Sequence, residues 1–156
     1  MREKMNAVSQ SESDRIQEAF ARAQDVWRDA VHAHRTAPPD GGFSSRLAAL
    51  SGAARIEAKV CREAHAAGFG WPPHKSFGSQ PWELQPGSGR RGPAELWRAF
   101  DDAVLALERA AAGSDLLEVA RAHELLGDAT ADLAEAVRRD DRASGLLPKA
   151  RSGRSA

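Results

Sequence analysis

The sequence predicts an all-α protein: an up-down four-helix bundle with a long loop, rich in aromatic residues and proline, between the second and third helices. Composition favours helices, because the 156 residues include 31 alanines and 18 arginines, which are strong helix formers, and no tyrosine. In four separate segments the apolar residues recur every three or four positions, as amphipathic helices require. Glycine, proline and serine separate those segments, so each helix has recognisable ends.

The first helix is predicted from about Asp14 to Arg35. Ser11 or Ser13 can cap its start, and the prolines and glycines within 38–42 end it. One stripe of apolar side chains is expected to face inward: Ile16, Phe20, Ala23, Trp27, Ala30 and Val31. This stripe predicts that the helix buries one face against its neighbours.

The second helix is predicted to start at a cap formed by Ser44 or Ser45 and to stop before Gly68. Its inward stripe comprises Leu47, Leu50, Ala53, Ala54, Ile56, Val60 and Ala64. Gly52 lies within the helix, where glycine costs about 1 kcal/mol relative to alanine. It either marks the close approach of another helix or is simply tolerated.

The third helix should open at Pro93, a favoured first position, and end at Gly113. Its stripe comprises Leu96, Phe100, Ala103, Val104, Leu107, Ala110 and Ala111. Ser114 and Asp115 cap a fourth helix. Its stripe comprises Leu116, Val119, Ala120, His123, Leu126, Ala129, Leu133 and Val137. Because the loop between these two helices has only about two residues, they must be antiparallel neighbours.

A chain of this length fits a single domain, which we expect over residues 13–139 with the long loop at 68–92. Residues 1–12 are polar and are predicted to be disordered, as is a basic tail at 140–156. Trimming that tail should leave the melting temperature nearly unchanged. Since the alanine-rich stripes make a thin core, we also expect a homodimer.

Charge and cysteine content narrow the possible functions. Lys+Arg and Asp+Glu each number 22, and this balance argues against general nucleic-acid binding. The single cysteine, Cys61, can form neither an internal disulfide nor a cysteine-based zinc site. Without an apolar leader or a stretch of about 18 apolar residues, the sequence predicts a cytoplasmic protein with no membrane span.

No metal and no cofactor is predicted. Metal-binding bundles typically carry Glu-x-x-His on facing helices, and that spacing is absent. His123 falls on the inward stripe of its helix, which is typical of a hydrogen-bonded core histidine.

The segment 68–92 has neither helical nor strand periodicity, and long irregular loops within compact domains are often functional. Its aromatic side chains either fold back onto the bundle or form a surface that binds a protein partner or a small ligand. The candidate binding residues are Phe69, Trp71, His74, Phe77, Trp82, Arg90 and Arg91. The two arginines precede the start of a helix, where they either hold an anion or form a solvated turn.

Residues 28–34 read Arg-Asp-Ala-Val-His-Ala-His, which resembles the arginine–polar–histidine motif of HEPN-type ribonucleases, small all-helical proteins that act as dimers. The resemblance implies RNA cleavage: Arg28 would steady the phosphate, His34 would act as acid or base at the 2′-hydroxyl, and Asp29 would orient the groups. It covers seven residues and lies on the first helix, whereas the family carries the motif late in the domain. If Arg28 and His34 act together, they should face one solvent-open groove.

Three functions therefore remain in view. The first is a non-catalytic protein that binds a protein or small ligand, in a regulatory or accessory role. The second is a dimeric endoribonuclease that uses Arg28, Asp29 and His34. The third is a small-molecule sensor in which the aromatic segment and His123 surround a cavity in the bundle.

Overall fold

A computed structural model of the chain describes residues 10–36, 42–69 and 90–145. These residues form four α-helices and no strand, and the helices pack around a shared apolar interior. The helices are α1 (Gln10–Thr36), α2 (Phe43–Ala66), α3 (Ala94–Ala112) and α4 (Leu116–Ser144). The predicted all-α four-helix bundle is confirmed. In the described part of the chain, no helix has both the length and the apolar character needed to cross a membrane.

The helices α2 and α4 form the centre of the bundle, with α1 packed on α2 and α3 packed on α4. The Ser51 hydroxyl of α2 donates a hydrogen bond of 2.7 Å to the carbonyl of Gly127 on α4. Further along the same interface, Arg62 pairs with Glu124 at 2.7 Å. Because later residues of α2 meet earlier residues of α4, the two central helices are antiparallel.

Each hairpin, α1–α2 and α3–α4, is antiparallel as its short loop requires, but α2 and α3 run in the same direction. Trp97, in the first turn of α3, has its ring centroid 6.4 Å from those of Phe43 at the start of α2 and His34 at the end of α1. The helix directions are therefore up, down, down, up, instead of alternating throughout. We call the end where α1 finishes and α2 and α3 begin the upper end.

The residues predicted to face inward are buried or partly buried in all four helices, except at one position of α2. Ile56 was predicted to face inward but is 44% exposed, whereas its neighbour Glu57 is fully buried. The physical reason is helical geometry, since the buried line through Leu50, Ala54 and Cys61 passes through position 57. The prediction was wrong because it placed the apolar Ile56 inward, although the helical spacing places position 57 there.

The predicted boundary of the tail at residue 140 is too early. Helix α4 continues to Ser144 and ends at Gly145, which has a φ of 81°. Asp141 in the last turn is fully buried and pairs with Arg91, which precedes α3. Because Arg91 is distant from Asp141 in sequence, the sequence alone does not indicate this pair, and the charged end of α4 was predicted to be a solvated tail. Helix α1 likewise begins at Gln10, within the segment predicted to be disordered.

Two truncations test the role of this last turn. A chain ending after Gly145 should unfold in urea like the full-length chain, because it keeps Asp141. A chain ending after Arg139 should lose about 3 kcal/mol, since removal of one member of a buried ion pair is strongly destabilising. Equal stability of both truncated chains would show that the Asp141 contact contributes nothing.

Two glycines have opposite surroundings and give a matched pair of substitutions. An added Cβ at Gly52 meets no atom within 4 Å, so this glycine is simply tolerated. Gly52→Ala should raise the free energy of unfolding by about 1 kcal/mol. Gly92 has a φ of +110°, and its Cβ would lie 3.1 Å from Leu133 Cδ1. Gly92→Ala should therefore lower stability by about 1–3 kcal/mol, and urea unfolding of both variants checks the contrast.

Candidate functional site

The upper end holds an aromatic cluster around a buried histidine, formed by His34, Phe43, Trp97 and Phe100; we call it the His34 cluster. The His34 ring lies 5.6 Å from Phe100 and 6.1 Å from Phe43, measured between centroids. The His34 side chain is fully buried, and neither ring nitrogen has a hydrogen-bond partner among the described residues. Three helices thus meet around one imidazole.

The electrostatic surroundings keep this imidazole neutral. Burial, helped by the positive charges of Arg90 and Arg46, lowers the pKa of His34 from 6.5 to about 4. At neutral pH the ring is therefore an uncharged group inside an apolar cluster. It could exchange protons with a substrate only if the cluster opened.

The two arginines that precede α3 are held by carboxylates. Arg90 donates two hydrogen bonds to Asp101, at 2.9 and 3.0 Å, and its guanidinium lies 4.6 Å from the centroid of the Trp97 ring. Arg91 pairs with buried Asp141. Each guanidinium thus already faces a carboxylate, which weakens its attraction for an anion, and the anion site stays a prediction.

A shallow hollow lies beside these arginines on the surface of the upper end, with a volume of about 350 Å³. Its lining comprises Arg90, Gly92, Ala94, Trp97, Arg98 and Asp101. We call it the upper hollow. Trp97 fixes its inner wall, because the indole nitrogen donates to the Arg91 carbonyl at 2.7 Å.

The candidate residues of the 68–92 segment do not all converge on this hollow. Phe69 is half-buried and packs against the smaller apolar cluster at the lower end of the bundle. Arg90 and Arg91 lie at the upper end, so the described parts of the segment lie at opposite ends. The remaining candidates, Trp71, His74, Phe77 and Trp82, lie outside the described residues.

The three residues of the ribonuclease-like motif are not brought to one groove. Arg28 is exposed and pairs with Asp25 at 3.0 Å, and Asp29 is exposed as well. His34 is sealed in its cluster. Six helical positions separate Arg28 from His34, which turns their side chains about 120° apart. The shared solvent-open groove that the motif requires is therefore absent in this structure.

The middle of the bundle contains further buried polar groups. His123 is fully buried as predicted; its Nδ1 lies 3.1 Å from the carbonyl oxygen of Val119, and its ring meets Trp27 edge-on at 5.1 Å. Burial raises the pKa of Glu57 to about 8. Burial and the Glu57 carboxylate raise the pKa of the Cys61 thiol, so the thiol is unreactive.

Sequence reasoning missed the two surface grooves between paired helices. One lies between α1 and α2 and the other between α3 and α4, and we call them the α1–α2 groove and the α3–α4 groove. Val26 and Ile56 stand exposed in the first, and Leu125 stands exposed in the second. Val26, Ile56 and Leu125 are apolar residues that lie beside the periodic stripes, and this position could have indicated the grooves from the sequence.

Set against models of known protein families, against curated proteins and against solved structures, the chain has no significant match. Within the described ranges, no group of three or more histidine, cysteine, aspartate or glutamate side chains could hold a metal ion. Function is therefore inferred from the geometry of this chain alone.

Proposed function

We propose that the protein acts by binding a partner, in a regulatory or accessory role, and that it catalyses no reaction. One observation carries this proposal: the histidine of the ribonuclease-like motif and three further groups capable of acid–base or nucleophilic chemistry have no contact with solvent. These groups are His34, Glu57, Cys61 and His123. A catalytic side chain must reach its substrate within hydrogen-bond distance, which such burial opposes.

The upper hollow supports the choice of a binding site. Arginine is a frequent anchor of protein interfaces, because it offers a large contact area and several donors. Trp97 is only 4% exposed, so its part is to hold Arg90 in place. Here Arg90 is already held in place by Asp101 and by the face of Trp97, so it loses little freedom on binding. Of the aromatic residues in 68–92, Phe69 lies at the other end of the bundle. The binding role of Trp71, Phe77 and Trp82 stays a prediction.

A comparison of two arginine variants tests this proposal. Arg90 and Arg62 each form an exposed pair with one carboxylate through two hydrogen bonds, with Asp101 and Glu124 respectively. The tagged native chain should capture a partner from an extract of its own cells, Arg90→Ala should lose it, and Arg62→Ala should keep it. Capture that is unaffected by Arg90→Ala, or RNA cleavage that requires Arg28, would contradict the proposal.

We also propose that the chain forms a homodimer. Four large aliphatic side chains are exposed on the described surface: Val26, Ile56, Leu105 and Leu125. A second copy could cover some of them and add to the thin alanine-rich core. Sedimentation of the purified chain at micromolar concentration measures this directly, and a monomer at all concentrations would end the idea.

A further inference from the structure

The α1–α2 groove has a length and shape that allow a third helix to pack in it. It has a volume of about 500 Å³ and follows α1 for three turns, from Arg15 to Val26, a length of roughly 16 Å. Its floor includes Ala19 and Ala23, whose small side chains allow another helix to approach closely. Val26 and Ile56, each 44% exposed, leave aliphatic surface open to solvent.

The charges along this groove are predominantly positive. Its lining carries Arg15, Arg22 and Lys59 against one acidic residue, Glu63. Neither Arg15 nor Lys59 forms an ion pair with any described residue. Arg22 lies 3.9 Å from Glu18 with both side chains largely exposed, and such a pair contributes little. The groove therefore offers basic groups that a partner could neutralise.

Two other grooves on the described surface, the α3–α4 groove and one between α2 and α4, lack this combination. The α3–α4 groove is lined by two basic residues, Arg109 and Arg121, and two acidic residues, Asp115 and Glu118, so its charge is balanced. The groove between α2 and α4 is crossed by two ion pairs, Arg55–Asp128 and Arg62–Glu124. It shares Lys59 and Glu63 with the α1–α2 groove, so its basic and acidic residues balance. Of the three, the α1–α2 groove alone joins exposed aliphatic side chains to an excess of positive charge.

We propose that the α1–α2 groove binds an acidic amphipathic helix of a partner protein. Aliphatic side chains on one face of that helix would cover Val26 and Ile56, as in other cases where a helix lies in an apolar groove. Carboxylates flanking that face would pair with Arg15 and Lys59. This surface differs from the upper hollow, and the inference names the chemistry of a partner for it.

A pair of synthetic peptides tests the charge and the apolar match together. The first, of about 18 residues or five helical turns, carries leucine at every third or fourth position and glutamate on both flanks. The second replaces every glutamate with lysine. In fluorescence anisotropy titrations at low salt, the glutamate peptide should bind the full-length chain at least about tenfold more tightly than the lysine peptide, a difference of about 1.4 kcal/mol.

Matched variants place the peptide in one groove. Ile56→Ser should weaken binding of the glutamate peptide about tenfold, whereas Leu125→Ser, which removes a similarly exposed side chain from the α3–α4 groove, should change it less than about twofold. The double variant Arg15→Glu/Lys59→Glu should weaken binding further, and Arg109→Glu/Arg121→Glu should not. All six substituted positions are exposed, so folding is retained and is checked by circular dichroism.

Four results would overturn this assignment. The glutamate peptide fails to bind at about 1 mM, or it binds no better than the lysine peptide, or the control variants weaken it as much as the groove variants do. A homodimer that dissociates on Ile56→Ser would assign the groove to a second copy instead. The Arg90 comparison concerns another surface, so its outcome stays separate from these results.

Discussion

Between pH 6.5 and pH 8 the free energy of unfolding of the native chain is expected to decrease, and the substitution Glu57→Gln is expected to remove this decrease. Glu57 is fully buried, and burial raises its pKa from 4.5 to about 8. Below pH 4.5 the carboxyl is protonated in both the folded and the unfolded chain. As the pH rises, the unfolded chain loses this proton first, so stability falls until the folded pKa is passed.

The size of the effect follows from the width of that interval. Each pH unit costs about 1.4 kcal/mol, so the native chain should lose about 2 kcal/mol from pH 6.5 to pH 8 and up to about 5 kcal/mol over the whole interval. Urea unfolding at several pH values measures the slope. Glu63→Gln, on the same helix but partly exposed, should keep the native slope. A native chain equally stable at pH 6.5 and pH 8 would refute the burial of a protonated Glu57.

The second large effect is expected from His34→Leu, and it has the opposite sign with pH. The pKa of His34 is about 4 in the folded chain, below its ordinary value of 6.5. Above pH 6.5 the ring is neutral in both states. As the pH falls below 6.5, His34 becomes protonated in the unfolded chain but stays neutral in the folded chain. The free energy of unfolding therefore decreases towards pH 4.

The two titrations oppose each other between pH 4.5 and pH 6.5, so His34 is best measured in the Glu57→Gln background. There, lowering the pH from 6.5 to 4.5 should cost about 2 kcal/mol, and adding His34→Leu should remove that cost. At pH 7 the leucine should also stabilise the chain, because it replaces two buried nitrogens with apolar surface. Destabilisation at pH 7 together with an unchanged acid slope would contradict the buried neutral imidazole.

The fold class was within reach of the sequence, because helical periodicity depends only on local spacing. Side chains such as Ile16, Phe20 and Trp27 lie three or four positions apart, and the structure buries all of them. The direction of α3 could not be predicted from the sequence. A short loop forces an antiparallel hairpin, whereas the long connection before Arg90 is compatible with either direction. Contacts such as that of His34 with Trp97 decide between them.

The candidate site was less predictable, because burial of a polar group depends on distant partners. Asp141 resembles a solvated tail residue until Arg91 is placed beside it. His34 belongs to a motif with a plausible chemistry, yet Phe43, Trp97 and Phe100 come from two other helices to enclose it. Single-sequence patterns carry no information on such encounters, whereas the one-position difference between Ile56 and Glu57 could have been found from spacing.

Histidine-specific labelling tests most directly whether His34 and His123 are sealed in the core of the bundle. Brief treatment of the folded chain at pH 7 with diethyl pyrocarbonate, followed by peptide mass spectrometry, reports on each histidine. His32 and His65 are exposed and should be modified, whereas His34 and His123 should stay protected until the chain is unfolded in urea. Modification of His34 as rapid as that of His32, two positions away on the same helix, would contradict the sealed core and with it the proposed non-catalytic function.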